Sequence, residues 1–115
     1  MRMWSAALIA LICCTWPAQA QRFHTADENR DGVISLSELL RVIQLYNIGE
    51  FHCYGSSEDG YAPGPGDQSC THHDSDYAAA DWQFSLAELL RLIQFYNGAG
   101  YFACADGEDG FCYRQ

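Results

Sequence analysis

The segment that decides the fold reads Asp27-Glu28-Asn29-Arg30-Asp31-Gly32-Val33-Ile34-Ser35-Leu36-Ser37-Glu38. Oxygen-bearing side chains stand at its first, third, fifth, ninth and twelfth positions, and glycine stands at the sixth. A plain turn followed by a capped helix would account for Gly32, one aspartate and the pair Ser35 and Glu38. It would not account for the whole pattern. The spacing therefore predicts a loop that wraps around a cation and leads directly into a helix.

The oxygen pattern matches the ligand set that calcium requires, because calcium takes about six to eight oxygen ligands in a flexible arrangement. Gly32 permits the positive-φ turn that bends the chain around the ion. Ile34, at the eighth position, is predicted to anchor the loop in the core. The predicted ligands are the side chains of Asp27, Asn29, Asp31, Ser35 and Glu38 and the main-chain carbonyl of Val33. We expect Ser35 to bind directly or through water and Glu38 to bind with both carboxylate oxygens.

The chain repeats itself with a shift of 50 positions. Residues 35–47 and 85–97 are identical at 10 of 13 places. The same shift pairs Glu58-Asp59-Gly60 with Glu108-Asp109-Gly110. We therefore interpret residues 21–115 as a single domain of two copies of one loop–helix unit, at about residues 24–71 and 72–115. The two Glu-Asp-Gly turns are predicted to be solvated, with auxiliary calcium ligation as the alternative.

Apolar residues recur at helical spacing in both copies. They are Leu36, Leu39, Leu40, Ile43 and Tyr46, matched by Leu86, Leu89, Leu90, Ile93 and Tyr96. The pattern predicts two amphipathic helices of about three turns that end near Gly49 and Gly98 and pack on each other around a pseudo-twofold axis. Residues 55–69 are rich in glycine, proline and serine and are predicted to form a loop. The expected fold class is therefore mainly α.

The second copy departs from the loop pattern. Aligning Glu88 with Glu38 places Trp82 where the first loop has Gly32. Counting back one more residue gives a thirteen-residue variant loop. Its predicted ligands are Asp76, Asp81, the carbonyl of Gln83, Ser85 and Glu88. The alternative is a loop without an ion, in which Trp82 and Phe84 pack and Glu88 caps the helix.

The N-terminus and the cysteines predict secretion. Residues 1–20 combine Arg2, an apolar run and Ala18-Gln19-Ala20, which is typical of a cleaved signal peptide. Four cysteines remain after it and allow three pairings, of which we favour the local pairs Cys53–Cys70 and Cys104–Cys112. The four histidines have no regular ligand spacing and are predicted to lie on the surface. The chain has 15 acidic and 6 basic residues, and this charge argues against nucleic acid and anionic membranes as partners.

The first loop is similar to an EF-hand calcium loop, and signal cleavage leaves too few residues before Asp27 for the entering helix of a complete EF-hand. Duplicated loop–helix units of this kind in a secreted chain resemble the dockerin modules of extracellular proteins. The resemblance implies a non-catalytic calcium-binding module with an extracellular protein partner. Two alternatives remain open. Cys70, His73 and Asp74 resemble the signature of secreted phospholipase A2, which implies a calcium-dependent hydrolase, and the EF-hand likeness also fits a calcium sensor.

Overall fold

The computed structural model describes residues 22–115. In each repeat one helix is followed by one β-hairpin. The elements are α1 (Leu36–Ile48), β1 (Phe51–Cys53), β2 (Tyr61–Pro63), α2 (Leu86–Asn97), β3 (Tyr101–Ala103) and β4 (Phe111–Tyr113). No helix within this part of the chain has the length and apolarity needed to cross a bilayer. The predicted signal peptide at residues 1–20 lies outside the described residues.

The prediction of a mainly α fold needs correction, because helix makes up only 27% of the structure. The two helices were expected, but the two antiparallel hairpins β1–β2 and β3–β4 were not. Each strand has only three residues, which is too short to display a period of two in the sequence. β2 lies inside the segment predicted to be a loop. It ends at Pro63, which an edge strand tolerates because edge N–H groups need no ladder partner.

Both helices begin at the same capping arrangement. The Ser35 hydroxyl accepts a hydrogen bond from the Glu38 N–H at 3.2 Å, and the Glu38 carboxylate accepts one from the Ser35 N–H at 2.8 Å. Ser85 and Glu88 repeat this pair of bonds. α1 ends at Gly49, whose φ of 103° suits glycine, and α2 ends at Gly98. The predicted helix limits are thus confirmed.

The buried face of each helix matches the predicted one only in part. Leu39 and Leu89 are buried as expected, and Ile43, Tyr46 and Ile93 pack against the core. Leu36 and Leu40 are 54% and 53% exposed, although both were expected in the core. The buried apolar residues of α1 are Leu39, Val42 and Leu45, and those of α2 are Leu89, Leu92 and Phe95. The capping Glu38 turns its carboxylate back into the loop, and Val42 and Leu45, four and seven positions later, share that side of the helix, with Leu39 at its edge. The buried cap residue and the buried apolar residues of α1 therefore lie on the same side of the helix.

The core lies where the helices meet the hairpins. α1 and α2 contact each other, as predicted, and each also packs on the second strand of its own hairpin. Buried aromatic side chains from the hairpins complete the core, among them Phe51 and Tyr101. His24 and His73 lie between these rings and are 2% and 1% exposed. The expectation of surface histidines was wrong for both.

Two disulfides join Cys53 to Cys70 and Cys104 to Cys112, which confirms the local pairing. The first joins β1 to the segment that follows β2, and the second links the two sides of the β3–β4 hairpin. Disulfides are consistent with an extracellular location.

The duplicated Glu-Asp-Gly turns are anchored by buried ion pairs. Asp59 has a side chain only 1% exposed and accepts hydrogen bonds from Arg41 Nε at 2.9 Å and Nη2 at 3.2 Å. Asp109 makes the same pair with Arg91 at 3.3 Å. Burial alone would raise the pKa of Asp59, but the hydrogen bonds and charge of Arg41 outweigh it and hold that pKa below its ordinary value. The prediction of solvated turns therefore holds for the exposed Glu58 and Glu108 but was wrong for Asp59 and Asp109. We call each pair an Arg–Asp clasp.

Candidate metal centre

The first loop is organised around the carboxylate of Asp27, which is 2% exposed. Its Oδ1 accepts a hydrogen bond from the Asp31 N–H at 3.2 Å, and its Oδ2 accepts one from the Gly32 N–H at 2.9 Å. Gly32 has a φ of 79°, in the left-handed region that glycine adopts without strain. The chain therefore curls around the first predicted ligand, as the loop pattern requires.

Glu38 closes the same loop from the first turn of α1. Its Oε1 accepts the capping bond from Ser35, and its Oε2 lies 3.4 Å from the Asn29 N–H. Glu38 is 5% exposed. Since one carboxylate contacts both the start of the helix and the third loop position, the helix cap and the loop closure are one structure.

Three carboxylates of this loop converge. Asp27, Asp31 and Glu38 each offer an oxygen, and these oxygens lie within 4.8 Å of one another. Asp27 and Glu38 are buried and Asp31 is exposed, so the group opens to solvent on one side. Burial raises the pKa of Asp27, despite the hydrogen bonds from Tyr101, Gly32 and Asp31 that favour its ionised form. A cation among these oxygens would offset the cost of burying that charge.

The other predicted ligands of the first loop lie nearby. Asn29 and Ser35 line a surface cleft together with Glu38. Val33 is 42% exposed, and its N–H donates to Asp31 at 3.1 Å. The convergence that the structure shows directly is that of the three carboxylates. Ligation by Asn29, Val33 and Ser35 stays a prediction.

Tyr101 is a member of this site that the sequence did not indicate. Its hydroxyl donates to Asp27 Oδ2 at 2.6 Å and accepts a hydrogen bond from the His24 N–H at 2.8 Å. Tyr101 opens β3 in the second repeat and is 1% exposed. The sequence offered one signal, which is a difference between the two copies: Tyr101 carries a hydroxyl, whereas Phe51 at the matched position of the first copy does not.

The second loop copies the backbone geometry of the first with one extra residue. Asp76 is 1% exposed, and it accepts hydrogen bonds from the Asp81 N–H at 3.3 Å and from the Trp82 N–H at 2.8 Å. Trp82 has a φ of 66°, close to that of Gly32. Asp76 thus occupies the place of Asp27. Burial raises the pKa of Asp76 to about 6.

The acidic side chains of the second loop are satisfied mainly by backbone donors. Glu88 accepts bonds from the Ser85 N–H at 2.7 Å and the Ala78 N–H at 2.9 Å, and Asp81 accepts one from the Gln83 N–H at 3.2 Å. Within residues 22–115, these carboxylates do not form a convergent group like that of the first loop. Trp82 and Phe84 are each 5% exposed and pack in the core. Ion binding at Asp76, Asp81, Gln83, Ser85 and Glu88 stays a prediction.

The residues of the hydrolase alternative serve local structure. His73 is 1% exposed, and its Nδ1 accepts the Ser75 N–H at 3.0 Å. Burial lowers its pKa to about 3. The Asp74 carboxylate receives hydrogen bonds from Arg22 at 2.7 Å and from the Thr25 N–H and hydroxyl at 2.8 Å. A histidine that activates water must reach the substrate, and this ring is enclosed by core side chains.

A scan against protein-family models, a search of curated proteins and a search of solved structures each gave no significant match to this chain. Function is therefore inferred from the geometry of the loops and the chemistry of their residues.

Proposed function

We propose that this protein is a secreted, non-catalytic calcium-binding module with a docking or structural role, similar to a dockerin. The observation that carries the proposal is the convergence of Asp27, Asp31 and Glu38 within 4.8 Å. Carboxylate oxygens are hard ligands that select hard cations over softer transition metals. The cluster is built into the helix cap, so a bound cation would hold the loop and α1 together.

The loop composition favours calcium over magnesium. Magnesium demands near-ideal octahedral geometry and keeps several waters, whereas calcium accepts a larger and more irregular shell. The predicted shell adds the oxygens of Asn29, Val33 and Ser35 to the three carboxylates, and Glu38 has two oxygens available for bidentate binding. Secretion is supported by the two disulfides and by the predicted signal peptide.

A structural role for the ion is supported by the contacts of the loop. Ile34 belongs to the loop and is 1% exposed, so it anchors the loop in the core. The Gly32 carbonyl accepts a hydrogen bond from the Tyr101 N–H at 3.0 Å, which attaches the loop to the second repeat. Calcium bound here would therefore stabilise contacts in both repeats. Small domains with thin cores commonly depend on such additions.

A docking role is supported by the outer faces of the helices. Leu36 and Leu40 on α1 and Leu86 and Leu90 on α2 are each more than half exposed. In each pair the two leucines lie one helical turn apart on the same face, and contiguous exposed apolar surface is typical of a protein-binding site. The net charge of −9 makes an extracellular protein a better partner than nucleic acid or an anionic membrane.

The sensor alternative has less support. A sensor opens when two helices pivot around one calcium loop. Residues 22–26 form no helix before the first loop, so within residues 22–115 the loop has a helix on one side only. We therefore favour a static module, in which calcium changes stability rather than the angle between helices.

Calorimetric titration of residues 21–115 with calcium tests the proposal. We expect heat of binding in the wild type and its loss in Asp31→Ala, because Asp31 is exposed and its removal leaves the core intact. Asp81→Ala is the matched variant in the second loop, since Asp81 is also exposed, and it reports whether a second site exists. Undiminished binding by Asp31→Ala and by Asp27→Ala would overturn the assignment of the first loop.

A further inference from the structure

The two repeats exchange backbone contacts at their loops. The Tyr101 N–H donates to the Gly32 carbonyl at 3.0 Å, and the Phe51 N–H donates to the Trp82 carbonyl at 3.1 Å. The first strand of each hairpin is therefore attached to the turn residue of the loop in the other repeat. Each loop is completed by the repeat to which it does not belong.

The side chains at these crossing points differ. Tyr101 and Phe51 are both buried, at 1% and 0% exposure. The Tyr101 hydroxyl reaches Asp27 Oδ2 at 2.6 Å, whereas Phe51 offers no donor to Asp76. In the second loop the matching oxygen, Asp76 Oδ2, instead lies 3.3 Å from His72 Nδ1. Among the described residues, the first loop is the only one of the two that receives a hydrogen bond from a side chain of the other repeat.

The hydroxyl also determines which oxygen of Asp27 remains open. A carboxylate has about four lone-pair sites, two on each oxygen. Oδ2 accepts from the Gly32 N–H and from the Tyr101 hydroxyl, so both of its sites are used. Within the described part of the chain, Oδ1 accepts one hydrogen bond, from the Asp31 N–H. One lone pair on Oδ1 is thus left for a cation, and the Tyr101 hydrogen bond fixes the rotation of the carboxylate that presents it.

We propose that Tyr101 is a positioning residue of the metal site in the first loop, so that the second repeat sets the cation affinity of the first. This inference rests on the proposed function. Hydrogen bonds to metal-ligating groups typically change metal affinity by about 10- to 100-fold when they are removed. Because coupling is reciprocal, a cation bound at Asp27 also stabilises the contact with β3.

Calcium titration of Tyr101→Phe tests the proposal, with Tyr61→Phe as the matched control. Tyr61 is also a buried tyrosine, at 6% exposure, but its hydroxyl donates to the Thr71 carbonyl outside both loops. We expect Tyr101→Phe to raise the calcium dissociation constant about tenfold or more and Tyr61→Phe to leave it within twofold. If Tyr101 had only a structural role, both variants would be less stable to unfolding than the wild type, and both would keep the wild-type calcium dissociation constant.

A second measurement uses the unaltered protein, in case Tyr101→Phe does not fold. With tyrosine labelled at the hydroxyl-bearing carbon, we expect the Tyr101 NMR signal to shift on calcium saturation and the Tyr61 signal to stay in place. Equal affinities for wild type and Tyr101→Phe, or an unmoved Tyr101 signal in calcium-loaded protein, would refute the positioning role and leave the calcium site standing. An absence of calcium binding in the wild type would instead refute the proposed function and this inference with it.

Discussion

Removing the arginine from the first Arg–Asp clasp should strongly destabilise the protein. In wild type the Asp59 carboxylate receives hydrogen bonds from Arg41, from the Ser57 hydroxyl at 3.1 Å and from the Tyr61 N–H at 3.1 Å. Arg41→Ala leaves this carboxylate, 1% exposed, without its cation. Breaking a buried pair in this way costs about 3–5 kcal/mol. Because the Arg41 side chain is 23% exposed and water can enter its place, we expect about 3 kcal/mol.

The measurement is urea-induced unfolding followed by circular dichroism at pH 7, with Arg22→Ala as the control. Arg22 pairs with Asp74, but its side chain is 53% exposed, so its loss should cost at most about 1 kcal/mol. Equal, small losses in both variants would refute the claim that the clasp is a buried interaction.

The same clasp predicts a pH dependence. The folded-state pKa of Asp59 is lowered, so its contribution to stability is fully present above the unfolded pKa of about 3.9 and is lost as the pH falls through the folded value. The stability difference between wild type and Arg41→Ala should therefore shrink in acid. A difference that stays constant down to pH 2 would contradict this account.

Three further predictions concern the core and the disulfides. Burial lowers the pKa of His24 and His73 to about 3, so the unfolded chain binds more protons than the folded protein below pH 6.5. The free energy of unfolding should therefore fall as the pH drops from 6.5 toward 3, by at most about 2.7 kcal/mol per pH unit for the two rings together. His73→Asn keeps an acceptor for the Ser75 N–H and should roughly halve that contribution in urea unfolding, whereas an unchanged slope would argue against burial of the ring. Trp82→Gly should lower stability by about 2 kcal/mol, because about 3–5 kcal/mol of packing is lost and about 1–2 kcal/mol of backbone strain is relieved; a more stable variant would contradict the packing role. Replacing Cys53 and Cys70 together by alanine should cost about 3 kcal/mol for their separation of 17 residues, and an unchanged unfolding midpoint would contradict it.

Local signals in the sequence predicted the local parts of the structure. Ser35 and Glu38 lie three residues apart and form their cap with each other, and Gly32 serves its own turn. The pattern at residues 27–38 therefore predicted the loop, the start of α1 and the carboxylate cluster. The disulfides were also predictable, because each copy of the repeat holds one nearby pair of cysteines.

Contacts between distant residues were not predictable. Arg41 and Asp59 are separated by 18 residues, and Tyr101 and Asp27 by 74. No spacing rule marks such pairs. The apolar pattern of α1 was misread at Leu36 and Leu40 because both share helical spacing with Leu39 and Ile43, which do pack in or against the core. The backbone geometry of the second loop was recoverable only by allowing for its extra residue.

Thermal unfolding of residues 21–115, followed by circular dichroism with and without calcium, tests most directly whether an ion at Asp27, Asp31 and Glu38 stabilises the fold. At a hundredfold excess of calcium over its dissociation constant the expected gain is about 2.7 kcal/mol. For a domain of this size, that corresponds to a rise of about 10–20 °C in the melting temperature. We predict this rise in wild type and its absence in Asp31→Ala. Superimposable melting curves for the wild type in saturating calcium and in excess chelator would contradict the account.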